Sequence, residues 1–204
     1  MTVWGYLLAG GGSTRFGRDK ALAELDCKPM LLRMFELLAS VCSSVSVVAP
    51  LEKYRAFQLP TVADRWPGEG PLGGILTALQ QTATEHGPEW NLILSCDMPF
   101  LTPEWLAYVT QVAQNSPNAE VVVPLSANGL EPLCGCWKTS AVAKMEESFA
   151  AGNRKVSAAI RTLRAEELDE SHWKRFDTAG QLFWNMNSAA DYEEAVRLWT
   201  KPTN

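Results

Sequence analysis

Apolar positions along this chain fall into short unbroken runs that alternate with longer periodic stretches. Residues 3–8 (VWGYLL) read as a first, largely buried strand. Pro29 opens a stretch of helical periodicity running to about Ser40, and the segment between the two is loop. The β-branched run 45–49 (VSVVA) predicts a second strand, followed by a polar turn or short helix at 52–57. Proline and glycine crowd residues 64–74 (DRWPGEGPLGG), which predicts a loop; a helix over 75–85 then leads to a third strand at 91–96 (NLILSC). Thr102, Pro103 and Glu104 make an N-cap signature that starts a helix reaching about Asn115. A strand at 119–124 (AEVVVP) and a turn at 126–129 lead into 131–137. Helices at 140–150 and 156–163, a strand at 182–185 and a last helix at 188–199 complete the pattern.

Strands separated by helices of this length imply βαβ units, hence an α/β, three-layer, Rossmann-like fold with a mostly parallel central sheet. A chain of 204 residues is long enough to bury one sizeable core, so a single domain over 1–204 is expected. In such sheets ligands sit beyond the carboxyl ends of the strands. Three places then matter: the loop after the first strand, the segment at Asp64 and the turn at Asp97.

Composition narrows the function. A hydrophobic fraction of 47% and a charged fraction of 20% are those of a globular chain. No apolar run approaches the roughly 20 residues of a membrane span, and the N-terminus lacks a basic leader region, so a cytoplasmic protein without a membrane partner is expected. The net charge of -5 argues against nucleic-acid partners, which need clustered Lys and Arg, and a phosphate ligand must be held locally. The five cysteines include no CxxC pair, and only His86 and His172 could supplement them, so neither a disulfide framework nor a zinc site is expected. Cys134 and Cys136 would share one face of a strand as reduced thiols.

Residues 8–20 (LAGGGSTRFGRDK) place Gly10, Gly11 and Gly12 directly after a buried strand, where missing side chains let backbone N–H groups approach an anion. Arg15, Arg18 and Lys20 add positive charge. The pattern is neither a Walker loop, because Arg18 follows Gly17, nor a dinucleotide loop, because Arg15 stands where the third glycine is required. Asp97 follows a buried strand at the same predicted sheet edge and is the candidate ligand for magnesium, a hard cation held by one or two carboxylates plus phosphates and water. Asp64 stands ready to meet a sugar hydroxyl, a base or the metal shell, and a plain turn explains it equally well. Asn185 and Asn187 would share a face if the last strand runs through them, and Arg154 with Lys155 forms a modest basic cluster or a solvated loop.

With these residues assembled, the sequence resembles the molybdenum cofactor guanylyltransferases over nearly its whole length. Residues 8–22 (LAGGGSTRFGRDKAL) resemble that family's LAGGxSxRMGxDKAL. Asp64 with 70–74 (GPLGG) is similar to its acidic-to-GPLxG loop, 95–100 (SCDMPF) to its CDxP turn, and 185–188 (NMNS) to its NxNTP. Phe16 stands where the family usually has Met, and 48–51 (VAPL) lacks an Asn often found there.

The resemblance implies a nucleotidyltransferase fold and transfer of GMP from GTP to the terminal phosphate of molybdenum-molybdopterin, with release of pyrophosphate. It implies backbone contacts to GTP from Leu8, Ala9, Gly10 and Gly11, phosphate contacts from Lys20, a nucleotide contact from Asp64, and both nucleotide and magnesium (or manganese) at Asp97. Arg15, Lys20 and Asp97 become the candidate catalytic residues; Asn185, Asn187 and Arg154 are the candidates for the pterin acceptor. Residues 1–100 would serve mainly the nucleotide and 101–204 mainly the acceptor. Transient contacts with other cofactor-biosynthesis proteins and apo-molybdoenzymes would follow. Rival readings are a cytidylyltransferase for the same pterin, a sugar-phosphate nucleotidylyltransferase, or a non-catalytic nucleotide- or pterin-binding module. Asp19 before Lys20 resembles the guanylyl branch, since the cytidylyl branch more often has Pro there.

Overall fold

Side chains two apart on a strand point the same way, so a strand that is apolar at every position must be covered on both faces. Strand β1 (Val3–Leu8) sends Val3 and Leu7 into one apolar cluster and Tyr6 into another; β6 (Trp90–Ser95) divides Leu92 and Leu94 from Ile93 in the same way. In the computed structural model, which describes residues 2–11 and 19–199, these clusters are the two halves of a three-layer core. Helices α1 (Met30–Ala39), α3 (Pro103–Asn115) and α7 (Ala189–Trp199) cover one face. The other is covered by α2 (Pro71–Thr84), α4 (Val142–Ala150) and the short α5 (Val156–Ile160).

The remaining strands are β2 (Glu24–Leu25), β3 (Lys28–Pro29), β4 (Ser44–Ala49), β5 (Thr61–Ala63), β7 (Val121–Ser126), β8 (Gly129–Leu130), β9 (Cys134–Lys138) and β10 (Ala165–Leu168). The eight-stranded sheet has the order β10-β7-β9-β6-β1-β4-β5, with β8 paired to β7. β1 pairs in parallel with β4 and β6, β4 with β5, and β10 with β7. β9 lies antiparallel between β6 and β7, so β6 and β7 themselves point the same way. The mostly parallel α/β sheet expected from the alternation is therefore present, and it brings the carboxyl ends of β1, β4, β5, β6 and β7 to one edge.

Two expectations change. Residues 182–185 are not a strand: Leu182, Phe183 and Met186 are buried, but the backbone there donates to Asp177 Oδ1 and to the Asp97 carbonyl rather than to a sheet neighbour. The sheet edge belongs instead to β10, whose Ala165, Glu166 and Glu167 are exposed and carry no apolar alternation to reveal it. Helix α2 begins at Pro71, four residues ahead of Ile75, because Gly70 at φ 78° supplies the sharp entry and Pro71 needs no N–H partner in the first turn. The small, buried Gly73 and Gly74 then let the helix lie against Trp66 and Leu8. A short β2–β3 hairpin and helix α6 (Glu170–Trp173) lie outside the sequence-predicted elements.

Candidate active site

The parallel strand ends converge on a cavity of about 360 Å³, a size suited to a small-molecule ligand. Leu8, Ala9, Gly10, Gly11, Lys20, Asp64 and Asp97 all line it, so the structure gathers residues predicted from three separate segments. Gly68 and Gly70 from the loop after β5 and Pro71 at the start of α2 form another part of the wall, with Ser95 and Leu133. Arg15 lies outside the described residues.

Each wall has a local cause. Ala9 leaves β1 with its N–H still donating to Val48 of β4 (3.0 Å), which carries the strand's direction into the glycine segment. A Cβ on Gly10 would stand 3.1 Å from Asp64 Oδ2, so glycine is what lets that backbone pass the carboxylate. Asp64 itself is fixed by the Trp66 N–H (3.0 Å) and faces Thr77 of α2 at 3.4 Å. Asp97 follows β6 and takes a hydrogen bond of 2.5 Å from the Ser95 hydroxyl on Oδ1. Its Oδ2 faces Lys20 Nζ at 3.5 Å, both side chains being largely shielded at 23% and 17% exposure.

The C-terminal segment closes in on the same groups. Met186 N–H donates to the Asp97 carbonyl (2.9 Å), and Lys20 Nζ donates to Asn187 Oδ1 (3.0 Å). Asp191 at the start of α7 accepts from the Asn187 and Ser188 N–H groups at 2.8 and 2.7 Å. The Asn187 bond, together with Ser188 and the charge of Lys20, holds its carboxyl below the usual range. Asn185 does not share Asn187's partner: its amide donates to the Phe183 carbonyl at 3.3 Å, and it helps to pull down the carboxyl of Glu131, which accepts from Ser126 at 2.8 Å. Arg154 does not itself line the cavity: it is paired with Glu69, between the lining Gly68 and Gly70, donates to the Phe149 carbonyl at 2.8 Å and stacks on the Phe149 ring.

Several groups at this edge escaped the sequence reading. Ser95 and Thr77 orient carboxylates from positions that look like ordinary strand and helix residues. Lys53 and Tyr54 reach Ala9 and Asp19 from a polar turn that carries no motif. Cys96 also lines the cavity, yet burial pushes its thiol well up, aided by Asp97 and Asp19, so it is held protonated and is a poor nucleophile.

Residues 5–169 match the MobA-like NTP transferase domain. The chain belongs to this family. A member of it is a nucleotidyltransferase, and the site accords with that: glycine-rich backbone, a lysine and a strand-end carboxylate around one cavity. This MobA-like chain is 34% identical to a probable molybdenum cofactor guanylyltransferase from Chloroflexus aggregans, over 100% of its own length and 98% of that protein's. A molybdenum cofactor guanylyltransferase from Desulfosudis oleivorans is 31% identical over 95% and 94% of the two chains. In three dimensions it is similar to molybdopterin-guanine dinucleotide biosynthesis protein A from Archaeoglobus fulgidus, with a TM-score of 0.83, 22% identity and coverage of 98% and 100%. Among the described residues no helix is long and apolar enough to cross a membrane.

Proposed function

We propose that this protein transfers GMP from GTP to the terminal phosphate of molybdenum-molybdopterin, forming the guanine dinucleotide form of the cofactor and pyrophosphate. The observation that carries the reading is the convergence of Ala9, Gly10, Lys20, Asp64 and Asp97 on one cavity, in a chain whose full-length relatives carry that name. Leu8, Ala9, Gly10 and Gly11 offer backbone to the nucleotide and Asp64 a further nucleotide contact. Lys20, and Arg15 in the same segment, meet the phosphates. Residues 1–100 supply this half. The acceptor half, 101–204, brings Asn187 onto Lys20 and Asn185 onto Glu131, which supports placing the acceptor against those asparagines. Arg154 serves the acceptor from its anchored position on Glu69.

The chemistry needs little from side chains. An oxygen of the acceptor's phosphate monoester attacks the α-phosphorus of GTP, a new P–O bond forms, and the bond to the bridging oxygen of pyrophosphate breaks. The monoester's second pKa is about 6, so it is largely ionised at neutral pH and no strong general base is required. Lys20 balances charge gathering on the phosphates, and the asparagines hold the acceptor in line. Asp97 fits a magnesium (or manganese) ion, because a carboxylate at a strand end, with one oxygen oriented by Ser95 in a cavity built for phosphates, suits a hard cation held by one or two carboxylates plus phosphate oxygens. When bound there, the ion would neutralise phosphate charge.

Incubation with magnesium, molybdenum-molybdopterin and either GTP or CTP tests the reading. GTP should be consumed and pyrophosphate released; consumption of CTP alone would move the assignment to the cytidylyl branch. Asp97→Ala and Lys20→Ala should each lower transfer by at least about a hundredfold. Near-normal turnover in both variants would overturn the mechanism.

A further inference from the structure

We infer that Lys53 and Tyr54 are positioning residues for the donor nucleotide, pinning together Ala9 and Asp19, which flank the glycine-rich segment, and cancelling the charge that Asp19 would otherwise present to the triphosphate. This rests on the proposed nucleotide role of the cavity.

The geometry is a four-contact brace. The Tyr54 hydroxyl lies 2.9 Å from the Ala9 carbonyl and 2.9 Å from Asp19 Oδ2. Lys53 Nζ lies 3.3 Å from the same carbonyl and 3.0 Å from the same carboxylate oxygen. A phenol has one proton for these two acceptors, so Tyr54 can satisfy only one of them at a time, and the Lys53 ammonium, with three protons and within reach of both, supplies the bond to the other. The other oxygen of Asp19 accepts from the Ala21 N–H at 3.1 Å, so the carboxylate just before Lys20 is fixed on both sides. Ala9 is equally held: its N–H goes to β4, and its carbonyl goes to the turn that follows β4. Tyr54 is only 3% exposed and its ring belongs to the α1-side core, so the brace is anchored in packing.

Charge gives the arrangement a purpose. Asp19, Asp64 and Asp97 all line the cavity that is to take a polyanion. Asp97 faces Lys20, but Asp19 is neutralised by Lys53, whose side chain is 28% exposed. Removing Lys53 leaves a partly desolvated carboxylate repelling the phosphates, whereas removing the Tyr54 hydroxyl loosens the two flanks without changing charge.

Equilibrium binding of magnesium GTP and magnesium CTP to the full-length protein, without acceptor, tests this by calorimetry. Tyr54→Phe, which keeps the buried ring, and Lys53→Met should each weaken binding of the preferred triphosphate by about tenfold, the loss expected for a hydrogen bond to a charged group. Adding Asp19→Asn to Lys53→Met should restore affinity to within about threefold of wild type, because the unbalanced charge is gone. A purely structural role would lower the urea midpoint without changing affinity and would show no such recovery. Wild-type affinity in both single variants overturns the proposal, as does a Lys53→Met loss that Asp19→Asn leaves untouched. Preference for CTP would overturn the guanylyl reading while the brace is judged on CTP. A wild-type protein that binds neither triphosphate overturns both.

Discussion

Glu131 is a half-buried carboxylate beside Asp97, and its surroundings pull in opposite directions. Burial pushes its carboxyl above the usual range; hydrogen bonds from Ser126 and Asn185 pull it down, and the charge of Asp97 adds to the rise. Because the folded value lies above the unfolded one, the ionised group costs stability. That cost is absent below the unfolded value of about 4.3, grows as pH rises through it, and is complete above the folded value. Glu131→Gln should therefore raise the urea midpoint at pH 7, with the gain vanishing below pH about 4; an equal midpoint at pH 7 would contradict the assigned cause. Sequence gave no warning of Glu131, since a glutamate after a turn is ordinary. Lys20 and Asp97 were legible, because each stands in a short motif at a strand end where the residue type itself carries the chemistry.

At the scale of elements, β1, α2, β6 and β9 are joined by buried polar contacts. Tyr6 of β1 pairs with Thr82 of α2 at 2.8 Å, and Thr82 donates to Asn91 Oδ1 of β6 at 2.7 Å. Asn91 Nδ2 then donates to Thr139 at 2.9 Å and to the Trp137 carbonyl at 3.3 Å. Thr82 and Asn91 are fully buried, so losing the central hydroxyl strands two partners. Thr82→Val should destabilise the fold by about 1–3 kcal/mol, read as a lower urea midpoint at unchanged slope. The elements best read from sequence were those with a full period of their own: β1, α1, β4, β6 and α3. Residues 182–185 were apolar enough to suggest a strand, but their burial comes from packing beneath α3 aromatics such as Trp105, which meets Phe183 at 5.7 Å. β10 was invisible because an edge strand with three exposed residues has no alternation to read.

For the molecule as a whole, the two-sided core decides which groups meet solvent. Cys27 is exposed, Cys42 is partly covered, and Cys96, Cys134 and Cys136 are buried. Burial pushes Cys42 and Cys134 up to about 12 and Cys136 well above its usual value. A thiol reagent at neutral pH should modify Cys27 rapidly and the other four only after unfolding; fast modification of a second thiol in the native protein would contradict the described packing. The same three-layer architecture sets the division between chain and fold. The sequence by itself determined the alternation of strands and helices, the glycine-rich segment after β1 and the acids at strand ends, because each is written in a few adjacent residues. Tertiary structure decided that β9 enters antiparallel between β6 and β7, that Asn187 meets a lysine 167 positions away, and that Lys53 and Tyr54 brace Ala9 against Asp19. Those pairings join residues far apart in the chain, and their partners are chosen by sheet order and packing, which local pattern does not encode.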